Sequence, residues 1–299
     1  MTGGDRRREW AVSAVHHRTA DIEGHQIFYR EAGPPAGPHV VLLHGAPASS
    51  SMFRHLIPLL ADRYHVIAPD LLGFGHSARP PVEQFTYTFD ALARLTGGLL
   101  DGLGVDRFAM YVQDYGAPVG WRLALEDRYT ITGIISQNGN AYEEGFVAPF
   151  WEPLWAYAAD PGPRTETPMR AALALDAIRW QYTHGVPDVS LVDPNSWEHD
   201  HTMVNRPGNA EIQLALYADY PTNVALYDDV QSWFREHQVP LLAAWGANDE
   251  IFSSDGARAF ARDLPDAEIH LLDAGHFALE SELDAIVLLM RDFLERAHP

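Results

Sequence analysis

Short runs of apolar residues that end on a polar residue or a glycine recur along this chain. The clearest are HVVLLHG (His39 to Gly45), YHVIAPD (Tyr64 to Asp70), RFAMYVQD (Arg107 to Asp114), ITGIISQN (Ile131 to Asn138) and VPLLAAWG (Val239 to Gly246), with EIHLLDAG (Glu268 to Gly275) after them. A run that is apolar at successive positions has no solvated face, so it suits a strand covered on both sides, the situation of a parallel sheet. IEGHQIFYREAG adds a strand after a glycine turn, and helix-length segments such as Asp90 to Leu103 and Leu279 to Ala297 separate the runs. Strand and helix in alternation predict an α/β fold, a mostly parallel sheet flanked by helices. One interval breaks the rhythm. From Gly139 to Gln238 the chain is rich in Trp, Tyr and Pro, with helical patterns such as MRAALALDAIRWQY but no clear strand, whereas a simple crossover needs roughly 30 residues. This interval is read as a helical cap inserted over the strand ends. The expected division is residues 1–138 for the first part of the core, 139–225 for the cap and 226–299 for the second part, with NVALYDDVQSWFREH returning to the sheet.

Composition removes several kinds of chemistry. The 299 residues, 46% hydrophobic, can bury a sizeable core. With 21 basic against 41 acidic residues the formal charge is −20, which repels phosphate backbones and anionic lipid, so neither nucleic acid nor a membrane surface is an expected partner. There is no Cys, hence no disulfide and no thiolate nucleophile or metal ligand, and no Lys, hence no Schiff base and no P-loop lysine. The basic start MTGGDRRREW is followed by an apolar run, Trp10 to Val15, too short for a signal peptide, and no apolar segment is long enough to span a membrane. A cytoplasmic protein is expected. Glu198 to His201 and the His16-His17 pair lack a supporting ligand set, so no metal and no cofactor is expected.

In an open α/β sheet, sites form at the carboxyl ends of strands. The polar residues placed there are His44, Asp70, Asp114, Asn138, Asp249 and His276. Asp114 ends a buried strand on a charge at a corner where Gly116 permits close packing. Taken alone, Asp114 reads as a helix N-cap and Asp249 as a turn residue. Together with His276 they fall in the order nucleophile, acid, histidine.

With these motifs the sequence resembles the α/β-hydrolase superfamily, in particular the haloalkane dehalogenases and epoxide hydrolases, whose nucleophile is Asp. The resemblance runs from FYREAGP through HGAP, DLLGFGHS and VQDYGAP to DAGHFALE. It implies an α/β-hydrolase fold with Asp114, Asp249 and His276 as the catalytic set, and with the backbone amides of Ala46 and Tyr115 as the oxyanion hole. The family's acid follows either of two strands; the earlier position holds the amide Asn138, so Asp249 is assigned.

A carboxylate nucleophile suits an sp³ carbon bearing a leaving group, because it gives an alkyl ester that water can cleave, whereas attack on an ester would give an anhydride. His276, oriented by Asp249, would activate that water. A halide leaves as a stable anion and calls for N–H donors, while an epoxide leaves as an alkoxide and calls for an acid such as Tyr. In the dehalogenases a Trp usually follows the nucleophile and an Asn in the HGxP motif or a Trp elsewhere completes the halide site; here those positions hold Tyr115 and Ala46. The expectation is therefore an epoxide hydrolase acting on a small or medium apolar epoxide, with haloalkane dehalogenase as the alternative and a non-hydrolytic ligand receptor or natural-product tailoring enzyme as a further one. Among Tyr142, Tyr157, Tyr182, Tyr217 and Tyr220, Tyr182 is chosen as the ring-opening acid, and Trp151, Trp155 and Trp180 are offered as pocket residues able to bind a halide. A small-molecule substrate is the expected partner; whether the chain forms a homodimer is left open.

Overall fold

The computed structural model describes residues 14–126 and 128–297, so the basic start and most of the apolar run after it lie outside the described residues. Eight strands form one sheet: β1 His16–Ile22, β2 His25–Ala32, β3 His39–Leu43, β4 His65–Pro69, β5 Arg107–Val112, β6 Thr130–Ser136, β7 Leu241–Gly246 and β8 Glu268–Leu272. Their order is β1-β2-β4-β3-β5-β6-β7-β8. β1 pairs antiparallel with β2 and β2 with β4, and every later pairing is parallel. β1 carries no apolar signal in the sequence because it is a largely exposed edge strand.

The continuous apolar runs are explained by burial on both faces. Val41 and Leu43 of β3, Phe108, Met110 and Val112 of β5, and Leu241, Ala243 and Trp245 of β7 pack into one layer. Val40 and Leu42, Ala109 and Tyr111, and Leu242 and Ala244 pack into the other. Each fully buried Val, Leu, Phe or Met contributes roughly 1.5–3 kcal/mol relative to exposure. Strands so anchored can carry strain at their ends without losing register.

Helices cover both faces. Phe89–Leu103 begins with Thr88 accepting from the Ala91 N–H and ends at Gly104 in a left-handed conformation, φ 70°. Between β6 and β7 the chain forms the helices Ala148–Ala159, Pro163–Ala171, Leu175–Thr183, Pro194–Val204, Asn209–Asp219, Pro221–Ala225 and Tyr227–His237. Two expected helices are divided. MRAALALDAIRWQY breaks after Ala171, where Leu173 turns its side chain inward and its carbonyl accepts from Asn205 Nδ2 at 2.9 Å. The C-terminal segment is split at Glu282 into Ala278–Ser281 and Leu283–Ala297. No helix among the described residues is long and apolar enough to cross a membrane.

A tight contact lies between β3 and the helix after β5. A Cβ added to Gly116 would sit 2.1 Å from the Leu43 carbonyl oxygen, a backbone atom that cannot swing away. Gly116→Ala should therefore destabilise by at least the ~1–3 kcal/mol of an overpacked core site. Gly102→Ala is the control: this residue lies in an exposed part of helix Phe89–Leu103 with nothing within 4 Å of the new methyl, and the change should stabilise by about 0.5–1 kcal/mol. Urea unfolding of the two variants checks both signs.

Candidate active site

The turn from β5 into helix Gly116–Ala124 uses only Gln113, Asp114 and Tyr115. It closes through Gly116 N–H donating to the Gln113 carbonyl at 2.7 Å and Ala117 N–H to that of Asp114 at 3.0 Å. Asp114 is left with φ 47°, a left-handed conformation that costs a non-glycine residue about 1–3 kcal/mol. The turn throws its carboxylate over two backbone donors. Ala46 N–H donates to Oδ1 at 2.7 Å, and Tyr115 N–H also donates to the carboxylate. Gly45 passes so close that a Cβ there would lie 2.3 Å from Asp114 Cβ and 2.3 Å from Gln113 Oε1.

Asp249 follows β7 and His276 follows β8. His276 Nδ1 lies 2.9 Å from Asp249 Oδ2, which also accepts from Asn138 Nδ2 at 2.7 Å, while Oδ1 accepts from the Ile251 N–H at 2.7 Å. With both oxygens engaged, Asp249 holds its rotamer and keeps the Nδ1 proton of the imidazole, which leaves Nε2 for chemistry. Asn138, itself left-handed at φ 51°, is fixed in turn: its Oδ1 accepts from Gly246 N–H and from Gln137 Nε2, each at 2.9 Å. The amide at the end of β6 thus braces the acid at the end of β7. Gln113 Nε2 lies 2.9 Å from His276 Nε2 and donates to the neutral ring, while its buried Oε1 has no partner. Turning the amide over would present that oxygen to a protonated ring.

Burial pushes the Asp114 carboxyl up, opposed by the His276 charge and the two N–H groups, and the net shift is upward. Burial works against a charged His276, but the Asp249 carboxylate, by charge and hydrogen bond, and the Asp114 charge overcome it, so this ring too lies above its usual value.

Asp114 opens on a cavity of about 50 Å³ whose walls include Ala46, Tyr115, Phe150, Trp151, Leu154, Leu173, Gln213, Tyr217 and Ile251. The volume is enough for one or two water molecules. Of the other polar strand-end residues, His44 is structural: its Nδ1–H donates to the Gly45 carbonyl and Nε2 accepts from Leu71 N–H, and burial lowers its pKa. Asp70 accepts from the N–H groups of Ser50 and His76, each at 2.7 Å, and so fixes the loop after β4.

The α/β-hydrolase fold family profile matches residues 38–283. The chain belongs to the α/β-hydrolase family. An uncharacterised hydrolase of Saccharomyces cerevisiae is 45% identical over 285 residues, 92% of this chain and 95% of that protein. Haloalkane dehalogenase 2 of Mycobacterium tuberculosis is 38% identical over 277 residues, covering 90% of this chain and 91% of that one. The structure of the epoxide hydrolase CorEH superposes with a TM-score of 0.74 at 22% identity over 95% of this chain and 99% of that one, a likeness of fold. This α/β-hydrolase is therefore an enzyme of the hydrolase class with dehalogenase and epoxide hydrolase relatives.

The structure brings Asp114, Ala46 and Tyr115 of this hydrolase together in the cavity wall with Trp151, and pairs Asp249 with His276 in the cleft beside it. The Trp151 indole N–H is already donated to the Ile251 carbonyl at 2.8 Å. Trp180 lies beside the cavity, in a cleft with Asp249 and His276, and stacks on His184. Trp155 lines an open cleft of about 980 Å³ with Glu143, Tyr227 and Arg262, away from Asp114. Tyr182 is not in the cavity wall. It is fully buried, stacked on Phe277 at 3.9 Å between ring centroids, and donates its hydroxyl to Asp200. The apolar side of helix Leu175–Thr183 carries it into the core, which composition could not show. Gln213 and Tyr217, one helical turn apart in Asn209–Asp219, reach the cavity instead; their i, i+4 spacing is a signal in the sequence once that helix is recognised.

Asp200, buried under Tyr182, has its carboxyl pushed up to about 8 by burial, partly offset by the Tyr182 hydrogen bond. In the unfolded chain an Asp loses its proton near 3.9, so between about pH 4 and pH 8 the folded state holds the proton more tightly and stability falls as pH rises. Asp200→Asn keeps an acceptor for Tyr182 and removes the titration. Denaturant unfolding at about pH 5 and pH 8 should show wild type losing stability relative to this variant at the higher pH.

Proposed function

We propose that the enzyme is an epoxide hydrolase that works through an ester of Asp114. The observation that carries the reading is the kind of donor facing the nucleophile. The cavity wall holds two tyrosines, Tyr115 and Tyr217, and the amides of Gln181 and Gln213, while Ala46 offers no side-chain donor and the one indole in the wall is spent on a backbone carbonyl; of these donors only the tyrosine hydroxyls can pass a whole proton to a leaving oxygen. Burial raises the Tyr217 pKa well above its ordinary value and the Asp114 charge raises it further, so the hydroxyl stays protonated. Hydroxyls that keep their protons suit an alkoxide leaving group; a halide is better served by fixed N–H groups.

In the first step an Asp114 oxygen attacks one epoxide carbon, the ring C–O bond breaks, and the departing oxygen takes the Tyr217 proton. A hydroxyalkyl ester and a Tyr217 phenolate result. In the second, water gives a proton to His276 Nε2 and its oxygen adds to the Asp114 carbonyl carbon, with the oxyanion held by the Ala46 and Tyr115 amides. Collapse expels the diol oxygen, which takes the proton from His276. The water's remaining proton, now on the Asp114 carboxyl, returns to Tyr217. The substrate is a small neutral molecule and no cofactor takes part in this scheme. Haloalkane dehalogenase is the second reading, favoured by the name of the Mycobacterium tuberculosis relative, and it shares everything but the leaving-group step.

Tyr217→Phe should slow epoxide opening by roughly 10²–10⁴-fold while leaving halide release from a bromoalkane of similar size little changed. Tyr182→Phe should lower the melting temperature, because it strips Asp200 of its partner, and leave turnover within a few-fold. Rapid release of bromide with inert epoxides in wild type would transfer the assignment to dehalogenase.

Asp114→Asn should abolish turnover, and His276→Ala should trap the ester, because the first step needs only the carboxylate and its donors. Mass spectrometry of digested His276→Ala protein should find the Asp114 peptide heavier by one whole epoxide. An unmodified peptide together with heavy oxygen from labelled water in the first-turnover product would mean that water attacks the substrate directly.

A further inference from the structure

Gln213 is fully buried in the wall of the cavity that holds Asp114, and neither end of its side-chain amide has a hydrogen-bond partner among the described residues. Its neighbours in the wall are mainly apolar, among them Leu154, Leu173 and Ile251. An amide left unpaired in such surroundings costs about 1–3 kcal/mol for each unmet group, which an apolar residue of the same size would avoid. An apolar substrate would leave that penalty in place and add to it by excluding water.

We propose that Gln213 reads a group on the substrate that both donates and accepts a hydrogen bond, and that the substrate is an epoxide bearing a carboxamide next to the ring. The inference rests on the Asp114 mechanism proposed above and replaces the apolar substrate expected from the sequence. A carboxamide meets Gln213 head to head, its N–H donated to Oε1 and its carbonyl accepting from Nε2, so both orphaned ends are satisfied at once. A substrate carboxylate fits badly: it could only accept, and the cavity wall contains Asp114 and no Arg. An alkyl chain satisfies neither end. Gln213 precedes Tyr217 by one turn of the same helix, so the two side chains line neighbouring parts of one cavity wall.

The test compares glycidamide with 1,2-epoxybutane, two epoxides of similar size, on wild type and on Gln213→Leu and Gln213→Met. Wild type should favour glycidamide in kcat/KM by roughly thirty- to a thousand-fold, the range expected when a site's paired polar groups meet a substrate that lacks the partner. Both variants should lose most of that preference, with the larger fall in kcat/KM on glycidamide, and melt at a higher temperature than wild type. Equal kcat/KM for the two epoxides in wild type, or the same loss on both in the variants, would overturn the inference. The pair 3-bromopropanamide and 1-bromobutane separates it from the epoxide reading. If only the bromides are turned over, the leaving-group assignment fails, yet an amide preference that vanishes in Gln213→Leu still supports the role of Gln213, and its absence there overturns it.

Discussion

The turn that carries Asp114 requires a left-handed backbone at a residue that does not favour one, and the surrounding strands are fitted to that turn. Gln113 N–H donates to the Leu43 carbonyl and Asp114 N–H to that of Asn138, so the ends of β3, β5 and β6 converge on three consecutive residues. Gly45 and Gly116 let the neighbouring backbone approach within distances that a side chain would forbid. The strain of about 1–3 kcal/mol at Asp114 is small beside the burial of the apolar residues of β5, each of which contributes a comparable amount. A charged residue can end this strand because the strand's hold on the sheet exceeds the cost of its end.

Around that turn the polar network is arranged in shells. Asp249 orients His276, Asn138 braces Asp249, and Gln137 ties the arrangement to the chain by donating to the His276 carbonyl at 2.7 Å. Each buried polar group is supplied with partners, which is the condition for keeping such a network in a low-dielectric interior. Exceptions occur in several parts of the fold, at Arg206, Asn209 and Asn223 among others, and one group of them surrounds the cavity. Gln113 Oε1, the Tyr115 hydroxyl and both ends of Gln213 are without partners, and all lie at or beside the cavity.

The helices between β6 and β7 are held against the sheet layers by a few buried ion and amide contacts. Arg54 donates through both terminal nitrogens to Glu280 at 2.9 Å and to Ser196 of helix Pro194–Val204, and Arg122 donates to Asn223 at 2.8 Å. Such pairs give little net stability after desolvation, but they fix where one element sits on another. The position of helix Asn209–Asp219 matters because it delivers Gln213 and Tyr217 to the cavity. Family membership leaves the leaving group open, since dehalogenase and epoxide hydrolase relatives share the fold; the proposed choice between the two chemistries rests on the donors that this helix supplies.

The sequence by itself determined the layered architecture and the strand ends where Asp114, Asp249 and His276 stand. Those signals are local: an apolar run covers both faces of a strand, and the residue after it must emerge at the sheet's edge. It also determined that Asn138, an amide, could not serve as the acid, though not that it holds the acid in place. Only the tertiary structure decided which tyrosines line the cavity with Asp114. Tyr182 and Tyr217 sit in helical patterns of similar composition, and a helix turns a side chain by about 100° per residue, so the direction in which each helix faces depends on its packing. Packing placed Tyr182 on Phe277 and Asp200, engaged the Trp151 indole with Ile251, and turned Gln213 and Tyr217 toward Asp114. The i, i+4 spacing of Gln213 and Tyr217 shows only that they share a helix face; which element that face meets leaves no trace in composition, because each contact pairs residues from elements that meet only when the chain is folded.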